Sequence, residues 1–349
     1  MNRFLRNVVR KNIFALKPYS CARDEFKGSD GIFLDANENP FGMWNRYPDP
    51  YQSKMKQKLG QLKNVPEDRI FIGNGSDEVI DLTFRIFCNP GVDKAMSFPP
   101  TYGMYKVSAA INDVEMLEIP LNKYFQIDLP ALIPYLGDVH LKAIFICSPN
   151  NPTGNLMKLD DIKFILENFI GIVFVDEAYI DFSGSPSLIT ELEKYPNLIV
   201  SQTFSKSRAL AAARIGTAYS RPEIIAYYNK VKPPYNVSGP NQEAALDSLE
   251  NENEILNQQS VILKEKQRVQ RELYKIPLIK EIYPSDANFF LIEVDDADKV
   301  YSKLIEMKIV TRNRHSVINN CIRITIGTFF ENSALLDALN NPSLFDPKS

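Results

Sequence analysis

The sequence predicts an α/β architecture: a large domain with a mostly parallel central sheet flanked by helices, and a smaller α+β domain after it. Three observations predict it. Short, mostly apolar stretches recur at 143–147, 172–175, 198–200 and 215–218, then again at 289–292 and 322–326, with Gly216 and Thr217 interrupting one and Arg323 and Thr325 another. Runs of that length between turn residues suit strands covered on both faces, as in a parallel sheet. The two groups are separated by 241–275, a stretch without Gly or Pro that is rich in Glu, Gln, Lys, Leu and Asn. Finally, 349 residues exceed a single domain of roughly 150 residues, so a satellite domain is expected.

Taken in order, the chain opens on Arg3, Arg6, Arg10, Lys11 and Lys17, with no acid before Asp24. The apolar run at 13–16 is too short for a secretory core segment, and no run approaches the ~18 residues of a membrane span. The chain reads as cytoplasmic, and its basic start as a docking arm. Pro40 and Gly42 set off 1–42 as an arm that packs with the small domain and a partner subunit. The large domain is expected over 43–238, closed by Pro233, Pro234 and the turn at 238–240; the small domain takes 239–349. Within the latter, Leu246, Leu249, Ile255, Val261 and Ile262 recur at roughly helical spacing, which predicts one long helix over 241–275. Strand, helix over 297–308, strand, and a helix from Ser333 follow.

Composition narrows the chemistry. Forty Lys plus Arg against forty-three Asp plus Glu leave a net charge of −3, so no overall basic field exists to hold nucleic acid. Cys21, Cys88, Cys147 and Cys321 are far apart and lack Cys-x-x-Cys spacing; they read as core thiols in a reducing compartment. With only His140 and His315 available, neither a histidine triad nor a multi-histidine metal site is easy to build, and no metal is expected.

The remaining motifs fall at predicted strand ends and helix starts. Gly73-Asn-Gly-Ser76-Asp77-Glu78 lies between the apolar pair Ile70, Phe71 and a helical pattern over 78–87. Two glycines followed by a helix start expose backbone N–H groups to an anion, and the helix dipole adds to their pull on a phosphate. Glu78 stands where a dinucleotide fingerprint has its third glycine, and no Lys-Ser or Lys-Thr follows to make a triphosphate loop. Ser148-Pro-Asn-Asn151-Pro-Thr-Gly154 follows a strand, where ligands of open α/β sheets gather. Asn151 can offer an amide there, although a plain turn has the same composition. Asp176 ends the next strand after four apolar residues; a ligand's protonated ring nitrogen, a helix cap or a magnesium ion would each explain it. Ser205-Lys206 ends the strand after that, with Arg214 eight positions on. A lysine at a sheet's ligand edge, its pKa lowered by apolar surroundings, can form a Schiff base with a carbonyl cofactor.

With these residues in view, the chain resembles the histidinol-phosphate aminotransferase family, of the class II subfamily of fold-type-I pyridoxal-phosphate enzymes. The likeness spans about 19–327. It is carried by Leu34-Asp-Ala-Asn37-Glu-Asn-Pro-Phe-Gly42, Tyr47-Pro-Asp-Pro50, Gly75-Ser-Asp-Glu78, Pro99-Pro-Thr-Tyr102-Gly-Met-Tyr105, Asn150-Asn-Pro-Thr-Gly154, Asp176-Glu-Ala-Tyr179 and Phe204-Ser-Lys206. The resemblance implies a fold-type-I aminotransferase that works as a homodimer. By that resemblance, Lys206 binds pyridoxal 5'-phosphate covalently and shuttles the substrate proton, and Asp176 keeps the pyridine nitrogen protonated. Asn151 and Tyr179 hydrogen-bond the ring oxygen, and Tyr102 stacks on the ring. Ser76, Asp77, Thr203, Ser205 and Arg214 hold the phosphate, with Tyr51 reaching in from a second subunit.

For substrate, Ile309-Val-Thr-Arg312 and Cys321-Ile-Arg323 each place a guanidinium after a strand-like run, a form suited to carboxylate or phosphate. The resemblance implies that Arg323 takes the glutamate carboxylate and Arg312 the phosphate of histidinol phosphate, with Tyr19 and Asn37 contributing. Arg314 competes with Arg312 for the second role. The implied reaction exchanges an amino group between L-glutamate and imidazole-acetol phosphate, giving L-histidinol phosphate and 2-oxoglutarate. An aromatic aminotransferase or a phosphothreonine decarboxylase would share the cofactor residues and differ around Tyr19, Arg312 and Arg323. A non-catalytic cofactor sensor on the same fold is the alternative of another class.

Overall fold

A computed structural model describes residues 3–19 and 31–341 of the chain; Cys21 and Asp24 lie outside the described residues. Seven strands form one sheet: β1 Ile70–Asn74, β2 Lys94–Ser97, β3 Glu115–Glu118, β4 Leu141–Cys147, β5 Ile172–Asp176, β6 Leu198–Thr203 and β7 Ile215–Tyr219. Their order is β1-β7-β6-β5-β4-β2-β3. The pairs from β3 through β6 are parallel, whereas β7 runs antiparallel to both β6 and β1. The expected strands are therefore present, in a sheet that is mostly parallel.

Burial explains why these runs are strands. Along β5, Val173 and Val175 join one apolar cluster while Ile172 and Phe174 join the other, and in β4 Ile144 and Ile146 part in the same way from Ala143 and Phe145. Side chains that alternate between two buried faces leave no place for polar residues, which is why the runs read as continuous. On one face lie the helices Ser76–Phe87, Met104–Ile111 and Pro222–Val231; on the other lie Ser53–Lys63, Leu159–Asn168 and Gly239–Glu250. Each large aliphatic or aromatic side chain taken out of water on either face stabilises the domain by ~1.5–3 kcal/mol.

A second, antiparallel sheet is built from β8 Ile279–Ile282, β9 Phe289–Val294, β10 Arg312–Asn313 and β11 Cys321–Thr325, in the order β10-β11-β9-β8. The helices Glu252–Leu273, Ala297–Glu306 and Phe329–Leu339 pack on it through Val269, Leu273, Val300, Leu304 and Leu336. The last helix begins ahead of Ser333. Thr328 and Glu331 form a capping box, in which Thr328 N donates to Glu331 Oε2 at 2.7 Å and Glu331 N donates to Thr328 Oγ1 at 3.3 Å.

Two expectations need correction. The single helix over 241–275 is two helices, broken at Asn251, whose ψ of 40° leaves the helical range. Asn251 Nδ2 turns back to the Asp247 carbonyl at 2.9 Å, closing the first helix, while the Asn251 carbonyl accepts from Glu254 N at 3.0 Å as the second begins. Apolar spacing carries through such a break, so periodicity alone does not expose it. The two helices also belong to different cores: Ala245 and Leu249 pack with Met55 and Leu59 under the large sheet, and Val269 and Leu273 pack under the small one. The division expected at 238–239 thus precedes a helix of the large core, and the apolar clusters part at Asn251.

The second correction concerns the arm. Its described helices, Arg3–Val8 and Lys11–Ala15, bury Leu5, Val8, Val9 and Ile13 against Phe84, Phe87, Ile225 and Tyr228 of the large domain rather than the small one. Arg10 N donates to the Ile86 carbonyl at 3.0 Å, and Lys230 Nζ to the Phe14 carbonyl at 3.0 Å. Among the described residues no helix is long and apolar enough to cross a membrane.

Candidate active site

Parallel pairing brings the carboxyl ends of β4, β5 and β6 side by side: Cys147 lies opposite Asp176, and Asp176 opposite Ser201. The loops leaving these ends carry Asn151, Tyr179 and Lys206. They open into a cavity of about 570 Å³ that is also lined by Ser76, Asp77, Tyr102, Thr203, Ser205 and Arg214. Arg312, Arg314 and Arg323 reach the same cavity from the small sheet.

Asp176 is buried at its end of β5. Its Oδ2 accepts from Tyr105 OH at 2.8 Å and its Oδ1 from Ala178 N at 3.1 Å. Burial nevertheless pushes its carboxyl up to about 6, against the pull of those two donors. Across the cavity, Lys206 Nζ stands 5.6 Å from the centre of the Tyr179 ring. Its side chain is reachable from the cavity, yet the surrounding protein lowers its pKa, and the Arg323 charge lowers it further. A lowered ammonium supplies more free amine at neutral pH, which is what a nucleophilic lysine requires.

The glycine loop behaves as an anion cradle. Gly75, at φ +80°, precedes the Ser76–Phe87 helix, which has no side-chain cap, so the amides of its first turn are left for a ligand. The main chains here are close-packed: a Cβ on Gly216 of β7 would lie 2.2 Å from Ser76 N. Arg214, itself at φ +54°, lays its guanidinium over Gly75 and donates from Nη2 to Asp77 Oδ2 at 3.0 Å. The other Asp77 oxygen accepts from Tyr102 OH at 3.0 Å. Thr203 and Ser205 hydroxyls stand 3.1 Å apart at the end of β6.

Asn151 links the two sheets. Its Nδ2 donates to Tyr179 OH at 3.4 Å, and its Oδ1 accepts from Arg323 Nη1. Tyr179 packs edge-on against Phe289 of β9, centroids 5.1 Å apart, and Arg323 lies over the same Phe289 ring. Arg312 and Arg323 face each other across the β10–β11 pair. Arg314, with a buried Nε that has no hydrogen-bond partner among the described residues, is the third cation; burial and then its two neighbours lower its pKa. Three guanidiniums at one mouth favour an anionic ligand.

Three expected residues do not line this cavity. Tyr51 is 44% exposed and Tyr19 72% exposed, and Asn37 lines a separate depression with Trp44, Tyr47 and Tyr235. Two contributors had no role assigned from sequence. Tyr105 was visible only as the end of the Pro99–Tyr105 motif, and Phe289 only as an apolar strand residue.

A sheet with ligand groups at its carboxyl edge, a buried acid and a lysine on one cavity, and an uncapped helix start together fit a class I and II aminotransferase. The family model described as aminotransferase class I and II matches residues 25–339. Among curated proteins, the chain is 52% identical to the histidinol-phosphate aminotransferase of Cytophaga hutchinsonii, over 96% of this chain and 98% of that one. Among solved structures, the histidinol-phosphate aminotransferase of Clostridium acetobutylicum superimposes with a TM-score of 0.78 at 26% identity, covering 87% of this chain and 97% of that one. That of Sinorhizobium meliloti, in complex with pyridoxal-5'-phosphate, gives 0.78 at 23% identity, covering 87% and 89%. The chain belongs to the histidinol-phosphate aminotransferase family.

Proposed function

We propose that the chain transfers an amino group between L-glutamate and imidazole-acetol phosphate, giving L-histidinol phosphate and 2-oxoglutarate, with pyridoxal 5'-phosphate as its cofactor. One observation carries this reading: a lysine, a buried acid, an anion cradle and three arginines converge on a single cavity in a chain about half identical to a histidinol-phosphate aminotransferase.

The residues fit that cofactor. Asp176 is a buried carboxylate that makes no ion pair among the described residues, and a protonated pyridine nitrogen is the cationic partner its environment lacks. The close main-chain approach of Gly75 and Gly216 leaves a cradle in which a phosphate can meet the first-turn amides of Ser76 and Asp77. Bound there, pyridoxal 5'-phosphate supplies an aldehyde that condenses with amines and a ring that accepts the electron pair left when substrate Cα loses its proton.

The chain's own residues do the rest. Lys206 is the amine that would hold the cofactor's aldehyde carbon, and as a free amine it would move the proton between substrate Cα and that carbon, which lies across the imine nitrogen. Asp176, ionised beside a cation, would hold the proton on the ring nitrogen. Asn151 and Tyr179 would hold the ring oxygen, and Tyr102 would pack against the ring. Ser76, Asp77, Thr203, Ser205 and Arg214 hold the phosphate. Arg323 binds the glutamate carboxylate, and Arg312, with Arg314 beside it, the substrate phosphate.

A homodimer is part of this reading. Ile32, Leu34, Phe41 and Met43 are each more than 80% exposed, an apolar stretch that a second subunit would cover. Tyr51, Tyr19 and Asn37 do not line their own chain's cavity; in this reading Tyr51 reaches the cofactor of a second subunit, and Tyr19 and Asn37 contribute to substrate binding. Three buried free thiols, Cys88, Cys147 and Cys321, support a reducing, cytoplasmic setting.

The test is an amino-donor panel against 2-oxoglutarate with histidinol phosphate, phenylalanine, tyrosine and phosphothreonine. Histidinol phosphate should show the highest kcat/KM. Release of carbon dioxide from phosphothreonine, or a preference for the aromatic amino acids, would overturn the assignment.

A further inference from the structure

We propose that Tyr105 is a positioning residue for Asp176: its hydroxyl fixes the carboxylate in the one orientation from which it can face the cofactor's ring nitrogen. This rests on the reading of Asp176 given above and adds to it the group that makes Asp176 effective.

The geometry is specific. Asp176 is gripped at both oxygens, by Ala178 N at 3.1 Å and by Tyr105 OH at 2.8 Å, so the carboxylate cannot turn about its own axis. Of the two donors, only the hydroxyl belongs to a different element. Tyr105 is in turn immobilised. Its ring is fully buried and stacks on Phe145 with centroids 5.2 Å apart, and Phe145 stacks on Phe84 at 4.8 Å and leans on Phe174 at 5.1 Å. The same ring meets Tyr102 edge-on at 5.6 Å. One residue therefore sets both the acid at the ring nitrogen and the aromatic side chain over the ring, and ties both to the aromatic stack beneath the sheet. A hydroxyl held this way cannot follow the carboxylate if the latter rotates, so it restricts the acid rather than merely solvating it.

Several other groups face Asp176. They are Asp77 and Tyr102 from the helix-start side, Cys147 from β4, Tyr179 from the loop after β5, and Lys206 from the loop after β6. Asp77 opposes ionisation of Asp176 and Lys206 favours it. The Tyr105 hydrogen bond also favours the ionised acid, so its removal should carry the titration of Asp176 upward.

Tyr105→Phe keeps the stacked ring and deletes only the hydroxyl. In the cofactor-loaded enzyme, kcat with glutamate should fall about 10-fold or more, the usual scale for losing a hydrogen bond to a charged group, while KM stays within about twofold. The acid limb of the kcat profile should move up by about one pH unit. With ring-¹⁵N-labelled pyridoxal 5'-phosphate, the nitrogen resonance should move toward its deprotonated position at a pH where the wild type holds it protonated. The melting temperature of the cofactor-free variant should stay within a few degrees of wild type. An unmoved resonance and acid limb would overturn the inference, even if kcat or stability fell, because a packing role predicts that pattern. Asp176→Asn in the same assays separates the two levels. If it keeps wild-type kcat, the reading of Asp176 itself fails; if it is inactive while Tyr105→Phe behaves as wild type, only the present inference fails.

Discussion

Arg323, on the small sheet, donates from Nη1 to the side-chain oxygen of Asn151, on the loop that leaves the large sheet. A substrate anion that claims Arg323 therefore competes with a residue expected to hold the cofactor ring, which couples occupation of the two subsites. Arg312 stands across the strand pair from Arg323 and is exposed.

That arrangement separates the two substrates. Arg312→Ala should raise KM for histidinol phosphate about 10- to 100-fold, the cost of one charge-assisted contact, and leave KM for glutamate nearly unchanged. Steady-state kinetics with each donor measures this. Equal losses for both would move phosphate selection to Arg314.

Asp176 trades stability against chemistry. Its folded-state pKa, about 6, lies above the usual carboxylate value, so the folded cofactor-free protein binds a proton that the unfolded chain does not between about pH 4 and 6. This group's contribution to stability is thus greatest below pH 4 and is lost as pH rises through 6. At pH 8 an ionised, buried Asp176 should cost roughly 2–3 kcal/mol, from about two units at 1.36 kcal/mol each. Asp176→Asn should accordingly raise the melting temperature of the cofactor-free protein at pH 8 by about 3 °C, show no gain at pH 4, and lower transamination at least 100-fold. Calorimetry at the two pH values, paired with a rate assay, checks both halves.

The phosphate cradle depends on a glycine in the strand behind it. Adding a methyl group at Gly216 forces apart the turn that carries Ser76 N, an overpacking that costs about 1–3 kcal/mol. Gly216→Ala should lower the melting temperature and weaken pyridoxal 5'-phosphate binding about 10-fold or more, read by equilibrium titration. Unchanged affinity would mean that the phosphate sits elsewhere.

Much of this site was legible in the sequence, because chemistry-bearing residues stood where buried strands end. The run before Asp176 and the one before Lys206 identify their strands by composition, and parallel pairing then brings both residues to one edge. Tyr105 was not legible as a site residue. An aromatic residue on the inner face of a helix has the same pattern whether it fills a core or supports an acid, and only the fold reveals the 2.8 Å contact. The break at Asn251 escaped for a related reason: Leu246 and Leu249 before it, and Ile255 and Ile262 after it, each keep helical spacing, although the first pair faces the large core. The position of the arm was likewise readable only from the apolar face made by Leu5, Val8 and Val9, which the basic residues around it obscure.

The proposed chemistry depends first on Lys206 as the residue that binds the cofactor. Reduction of the loaded protein with borohydride, followed by proteolysis and mass spectrometry, should place the cofactor's mass on the peptide containing Lys206, and Lys206→Ala should show neither that adduct nor the visible absorbance of the wild type. Wild-type absorbance in Lys206→Ala, or an adduct on another lysine, would rule out Lys206 as the cofactor's attachment point.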